Sequence, residues 1–299
     1  MKDPKLLVAF KKSRYEQFVL EERDPNVEEL LAMGHVSVES LQESHRAHRE
    51  SLDHIVARLE ARGIPFDLEF RGDVTVQMVA ACDLLITVGG DGTVLDLSHR
   101  AFTTPILAIN SDPGSSVGYF TAGDATEFDE LLDRVIPDGW EPLRLRRFHI
   151  RLDGQQLGPP VLNDILICHE NPAAVSAYSL KVGNHPAEPQ KSSGIWVSTP
   201  AGSTAAVRSA GGFVLPFRSG NIQYVVREPY PPPAGGYRFL KGIHPFEEHF
   251  EVISRMREGQ VFIDGPHLSF PMPLGSTLTL DPEAPALQLF GVQEDRRTA

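Results

Sequence analysis

The run Asp83–Val88 (DLLITV) passes straight into Gly89–Thr93 (GGDGT), and this junction constrains the fold more than any other stretch of the chain. The apolar run reads as a buried strand. The glycines cannot continue it, because they weaken a strand and favour a sharp turn. Thr93 to Arg100 then has helical character. A buried strand that turns into a helix needs parallel partners, and the neighbouring sequence supplies them. Leu6 to Phe10 and Pro105 to Asn110 are short apolar runs, and Ile64, Phe66, Leu68 and Phe70 alternate at strand period. Between them, Val38 to Arg62 places Leu41, Leu52, Ile55, Val56 and Leu59 on one helical face, and Gly63 is a natural stop. Phe128, Leu131, Leu132, Val135 and Ile136 line another helix, ended by Pro137. Strand and helix in alternation predict an α/β N-terminal domain over residues 1–139, a Rossmann-like parallel sheet covered on both faces.

After about residue 140 the texture changes to short β-rich runs punctuated by Gly and Pro: Phe148 to Leu152, Val161 to Cys168, Ser176 to Val182 and Ile195 to Thr199. Residues 140–299 are therefore expected to form a β-rich, β-sandwich-like C-terminal domain. EPYPPPAGGY (Glu228 to Tyr237) reads as a long loop, and the polar tail after Phe290 is expected to fray. A net charge of −12 argues against a nucleic-acid partner, which would need a basic face. Only two cysteines occur, so no disulfide framework is available, which fits a reducing cytoplasm. No apolar window suits a signal peptide or a membrane span.

The chemistry concentrates in three places. In GGDGT the glycines let the backbone approach a phosphate chain, and the following helix adds its positive end. A tight turn would explain the glycines but not Asp91, a carboxylate that is costly beside phosphates unless it binds Mg²⁺ or takes a proton from an attacking hydroxyl. Neither a Walker-type loop nor a full dinucleotide fingerprint occurs. Gly114–Gly118 fits the pattern of a hydrolase nucleophile elbow around Ser116, but lies in a loop rather than at a strand-to-helix turn. The second place is Lys191 to Gly212 (KSSGIWVSTPAGSTAAVRSAGG), whose run of small residues opens either a ligand-facing or a tightly packed helix. The third is Asn163-Asp164, an amide and a carboxylate that can read a base edge and ribose hydroxyls, or simply make a turn.

In this order and spacing, GGDGT, Asn163-Asp164, Gly202 to Ala205 and Ser209 to Gly212 resemble the motifs of NAD kinases. AINSDPGSSVGYF (Ala108 to Phe120), QKSSG and VREPY look like the divergent branch with mitochondrial and plant enzymes. The resemblance implies ATP-dependent phosphorylation of the 2′-hydroxyl of the adenosine ribose of NAD, with Mg²⁺ or another divalent cation and metal ligands left unassigned. It implies Asp91 as general base and dinucleotide contact. Gly90, Gly92 and Thr93 would face phosphates, and Tyr119 would wall the pocket. Asn163 and Asp164 would hold the adenosine part, with Thr204, Ala205, Ala206 and Ser209 lining the same pocket; Lys191 and Arg208 would be candidate phosphate partners. It also implies a homo-oligomer, at least a dimer, with NAD and ATP as partners and no membrane.

Three positions depart from the common pattern: Ser193 stands where an Asp is usual, Ala206 where a Tyr is frequent, and Pro266 where a Gln follows Asp-Gly. Two rivals remain open, a diacylglycerol- or sphingoid-type lipid kinase sharing the GGDGT loop and a non-catalytic nucleotide sensor.

Overall fold

The computed structural model describes residues 4–137, 139–230, 232 and 235–297. By contacts the chain divides into two compact units, one running to Leu143 and including Gln288–Arg297, the other Arg144–Leu287.

The first unit is built on a parallel sheet. Strand β1 (Leu6–Phe10) lies between β2 (Phe66–Phe70) and β3 (Leu84–Gly89), and β4 (Ile106–Asn110) flanks β3. The order β2-β1-β3-β4 reverses direction between β1 and β3. That reversal is the switch point where ligands of open α/β sheets bind, outside the carboxyl ends of the strands. Every residue of β3 and β4 is buried, which explains why both read as unbroken apolar runs. Helices α1 (Pro25–Ala32), α2 (Leu41–Ala61), α3 (Val76–Ala80), α4 (Asp91–Ser98) and α5 (Phe128–Val135) complete this unit. On α2, His48, Leu52, Ile55 and Leu59 recur at helical spacing and are buried, and the chain leaves it through Gly63 at φ +65°. Each such fully buried aliphatic side chain contributes about 1.5–3 kcal/mol. The expected helix after GGDGT begins at Asp91 rather than Thr93, which moves the aspartate into its first turn.

The second unit holds two six-stranded antiparallel sheets. One contains Phe148–Leu152, Gln155–Val161, Ser176–Val182, Glu188–Ser192, Phe250–Ser254 and Thr277–Asp281. The other contains Asp164–His169, Gly194–Ser198, Asn221–Arg227, Lys241–Pro245, Gly259–Ile263 and Ser269–Pro271. Ser176–Val182 and Phe250–Ser254 bury alternate residues, as strands with one inner face must. Tyr178, Leu180 and Val252 of the first sheet and Ile165, Ile167 and Val261 of the second share one core, so the sheets pack as a sandwich.

Two expectations are corrected. Val161 to Cys168 is not one strand: the chain leaves one sheet at Val161 and enters the other at Asp164. The tail after Phe290 does not fray as far as it is described, since Asp295–Arg297 forms a helical turn and Arg297 is buried. The loop Glu228–Tyr237 carries no helix or strand in its described residues; Pro231, Pro233 and Ala234 lie outside them.

Candidate active site

In the first unit the site grows from the end of β3. Gly89 is required because a Cβ there would overlap the Thr93 side chain, which is turned inward and 2% exposed. The Thr93 N–H donates to the Gly90 carbonyl (2.9 Å), so Thr93 shapes the turn more than it faces outward. Gly90 caps α4, and a Cβ at Gly92 would meet nothing within 4 Å, leaving open space at the first turn. The N–H groups of Asp91 and Gly92, at the very start of the helix, precede the first residue that can find an acceptor within it, which makes this end a place for anions.

Asp91 is the first residue of α4, and both of its oxygens are engaged. Oδ2 accepts the Tyr119 N–H (2.9 Å) and Oδ1 the Phe120 N–H (2.8 Å). Burial pushes its carboxyl above the ordinary aspartate value, while these two hydrogen bonds and the Arg296 charge pull the other way. A carboxylate oxygen has two lone pairs, so each still has one for an incoming hydroxyl. The peptides that grip Asp91 are themselves held. Gly118 sits at φ +67° where a Cβ would overlap Thr121, and Arg296 Nη1 donates to the carbonyls of Gly118 (3.1 Å) and Thr121 (2.9 Å). The segment expected to be loose thus reaches the aspartate loop. Ser116 lies over Gly90 in an irregular stretch, its carbonyl accepting from Asn110, with no nucleophile elbow formed.

In the second unit the structure brings two motifs together. Asn163-Asp164 lies where the chain changes sheets, and the reason is Asp264, whose carboxylate accepts three successive backbone N–H groups: Leu162 (2.9 Å), Asn163 (2.7 Å) and Asp164 (3.1 Å). Asp264 adopts φ +51°, a conformation aspartate tolerates better than most residues, and its charge interacts with buried Arg147. The Gly202 segment packs on the same corner. Thr199 donates its N–H to the Asn163 carbonyl (2.9 Å), and a Cβ on Gly202 would overlap the Asn163 backbone, so only glycine fits. Asn163 Oδ1 is buried without a hydrogen-bond partner, a lone acceptor awaiting a donor. Asp164 is 5% exposed, and burial, then the Asp264 charge, pushes its carboxyl up to about 8. This favours the protonated form, which donates as well as accepts.

Thr204, Ala205 and Ala206 follow at half-buried positions, and Ser209 is exposed on the one-turn helix Ala206–Ser209, as is Arg208. Lys191 stands apart from this corner, exposed on the strand Glu188–Ser192 of the other sheet. Asp264 and Arg296 were missed in the sequence. The turn Asp264-Gly265-Pro266 was a usable signal for the first; a polar tail offered none for the second.

Among the described residues no group of three or more His, Cys, Asp or Glu side chains could hold a metal ion, and no helix is long and apolar enough to cross a membrane. Residues 12–139 match the ATP-NAD kinase N-terminal domain and residues 162–225 the ATP-NAD kinase C-terminal domain. A probable NADH kinase of rice (Oryza sativa subsp. japonica) is 35% identical over 266 residues, 82% of each chain. Two solved structures share the fold. An NAD kinase from Archaeoglobus fulgidus in complex with ATP superposes with a TM-score of 0.67 at 20% identity, covering 98% of this chain and 96% of that one. Yeast NADH kinase complexed with NADH does so at 0.71 and 17%, covering 98% and 82%. Motifs, both domain matches and a relative aligned over most of its length agree, and this chain belongs to the NAD kinase family.

Proposed function

We propose that this kinase transfers the γ-phosphoryl group of ATP to the 2′-hydroxyl of the adenosine ribose of NAD(H), with Asp91 as the group that takes the hydroxyl proton. The observation that carries this reading is the Asp91 carboxylate itself, half-buried and raised in pKa in the first turn of α4, beside the open space at Gly92. Phosphoryl transfer asks the protein mainly to position the reactants and stabilise charge. The ribose oxygen attacks the γ-phosphorus, the bond to the β-phosphate oxygen breaks, and ADP leaves as the proton passes to Asp91. The donor set favours Mg²⁺ arriving as part of Mg-ATP, because Mg²⁺ commonly keeps several waters and leans on substrate phosphates.

Gly90 and Gly92, with Thr93 shaping the turn, are assigned phosphate contacts, and Tyr119 is assigned a wall beside them. In the β-rich unit, Asn163 Oδ1 accepts from the adenine amino group, Asp164 binds ribose hydroxyls, and Thr204, Ala205, Ala206 and Ser209 line the pocket. Lys191 is assigned a phosphate contact from its exposed strand. Both redox forms of the dinucleotide carry the reacting hydroxyl; the description of the rice relative as a probable NADH kinase favours NADH. We also place the chain in the cytoplasm, consistent with its two free cysteines, as at least a dimer.

A coupled assay with Mg-ATP and NAD or NADH, run beside a lipid-phosphorylation assay, tests the reading. Phosphate appearing on the dinucleotide and not on lipid supports it. Label on lipid alone revives the lipid kinase, and label on neither the sensor.

A further inference from the structure

The sheet's switch point has two sides, and only one carries GGDGT. On the other, β1 ends at Phe10 and the next residues are Lys11, Lys12, Ser13 and Arg14; β2 ends at Phe70, followed by Arg71. Backbone hydrogen bonds bring these ends together at the carboxyl edge: Lys11 N–H donates to the Val88 carbonyl (3.3 Å) and Arg71 N–H to the Phe10 carbonyl (2.8 Å). The Arg71 side chain reaches the phosphate loop, with Nη1 3.4 Å from the Gly92 carbonyl and Nε 3.9 Å from Asp96. In a chain of net charge −12, cations have gathered where the loop opens.

The cluster is under electrostatic tension. Among the described residues the Lys11 Nζ forms no hydrogen bond or ion pair, whereas its neighbour Lys12 pairs with Glu21 at 2.6 Å. Burial lowers the Lys11 pKa first, Asp112 offsets part of this, and the Arg71 and Arg14 charges lower it further. A half-buried ammonium that is repelled by two guanidinium groups, with only the Asp112 charge to offset them, is incompletely neutralised in the free fold. A polyanion beside it would relieve the repulsion and supply the missing acceptors.

We propose that Lys11, Arg14 and Arg71 form the seat for the β- and γ-phosphates of the donor nucleoside triphosphate, opposite the glycines of GGDGT. This rests on the kinase reading above and adds to it the cationic half of the donor site. In the transfer step the seat's charges stabilise the negative charge that builds on the β-phosphate oxygen as its bond to the γ-phosphorus breaks.

The test uses Lys11→Met, which keeps most of the aliphatic stem and removes the charge, Arg71→Gln, and Lys12→Met as a control of equal charge change. Two readouts are taken: steady-state KM for Mg-ATP and for the dinucleotide, and calorimetric binding of inorganic tripolyphosphate. The seat predicts that Lys11→Met and Arg71→Gln each raise the KM for Mg-ATP about tenfold or more, in line with loss of a charge-assisted hydrogen bond. They should weaken tripolyphosphate binding by a similar factor and leave the dinucleotide KM within about twofold, as a separate site requires. Lys12→Met should change neither. Thermal unfolding of Lys11→Met should be unchanged or higher, because an unpaired, repelled charge has been removed. Unchanged donor KM and tripolyphosphate binding in both variants would overturn the seat, as would equal losses for donor and dinucleotide. If tripolyphosphate binds wild type and is lost in Lys11→Met while no NADP(H) is made, the seat stands and the kinase reading fails; NADP(H) made with an unaltered donor KM in both variants gives the reverse.

Discussion

Each unit withdraws one aspartate of its motif from water, Asp91 of the α/β unit in part and Asp164 of the β-rich unit almost fully, and desolvation raises the pKa of both. Their neighbours then push them apart. Asp91 receives two backbone N–H groups and feels the positive Arg296, all of which favour the ionised form needed to accept a proton. At Asp164 the backbone donors of the same turn, including its own N–H, go to Asp264, whose negative charge adds to the burial penalty. On the reading proposed above, these surroundings suit Asp91 to act as a base and Asp164 to act as a protonated hydrogen-bonding group. The residue type is the same; the distribution of N–H donors decides the role.

The comparison breaks most visibly at Asp91. Asp91→Asn should lower turnover by about 10²- to 10⁴-fold, the usual range for a lost general base. An amide also presents one N–H₂ group to a site with two N–H donors, so one of the two loop hydrogen bonds is lost at a cost of about 1–3 kcal/mol. Thermal unfolding should show a folded but less stable protein, and turnover within about fivefold of wild type, far short of the expected loss, would remove Asp91 as the base.

A smaller effect is expected on the other side. Gly202→Ala forces the Asn163 backbone to move, so the dinucleotide KM should rise about tenfold or more while the KM for Mg-ATP stays within about twofold, the pattern for loss of binding to one substrate. Parallel rises in both constants would mean that the Gly202 corner supports the fold rather than the acceptor pocket.

The third effect is on stability and sharpens the contrast in protonation. A carboxyl with a folded pKa of about 8 makes the folded state bind more protons than the unfolded chain from about pH 4 upward, so its contribution to stability falls as pH rises through that window and levels off above it. Asp164→Asn removes this term. The variant's unfolding temperature relative to wild type should therefore increase by roughly ten degrees between about pH 5 and pH 9, taking about 1.4 kcal/mol per pH unit up to the folded pKa and roughly 2–4 °C per kcal/mol for a chain somewhat shorter than this one. A difference that does not change with pH would place Asp164 in the ordinary aspartate range.

Local sequence carried the parts that depend on periodicity and on single glycines. The strand into GGDGT, the apolar face of α2 and the two-part architecture are set by residues close to one another in the chain. What stayed hidden depends on distant partners. Val161 to Cys168 reads as one strand because its apolar residues are continuous, yet Asp264, about a hundred residues away, takes the N–H groups of Leu162, Asn163 and Asp164 and turns the chain into the other sheet. The tail looked loose because Arg296 acts through carbonyl groups of Gly118 and Thr121, an interaction that leaves no hydrophobic pattern. Lys11 and Arg71 are ordinary surface residues in sequence, and only the strand order places them at one edge.

The account depends most on Asp91 being a proton acceptor tuned by its surroundings. The pH dependence of the single-turnover rate, measured for wild type and for Arg296→Ala, tests this most directly. The wild-type rate should rise with pH through one ionisation whose midpoint lies above the free aspartate value of about 3.9. Removing the Arg296 charge, which lowers the Asp91 pKa, should move that midpoint to higher pH. A rate that shows no such ionisation, or a midpoint that stays in place or moves down in Arg296→Ala, would contradict the account.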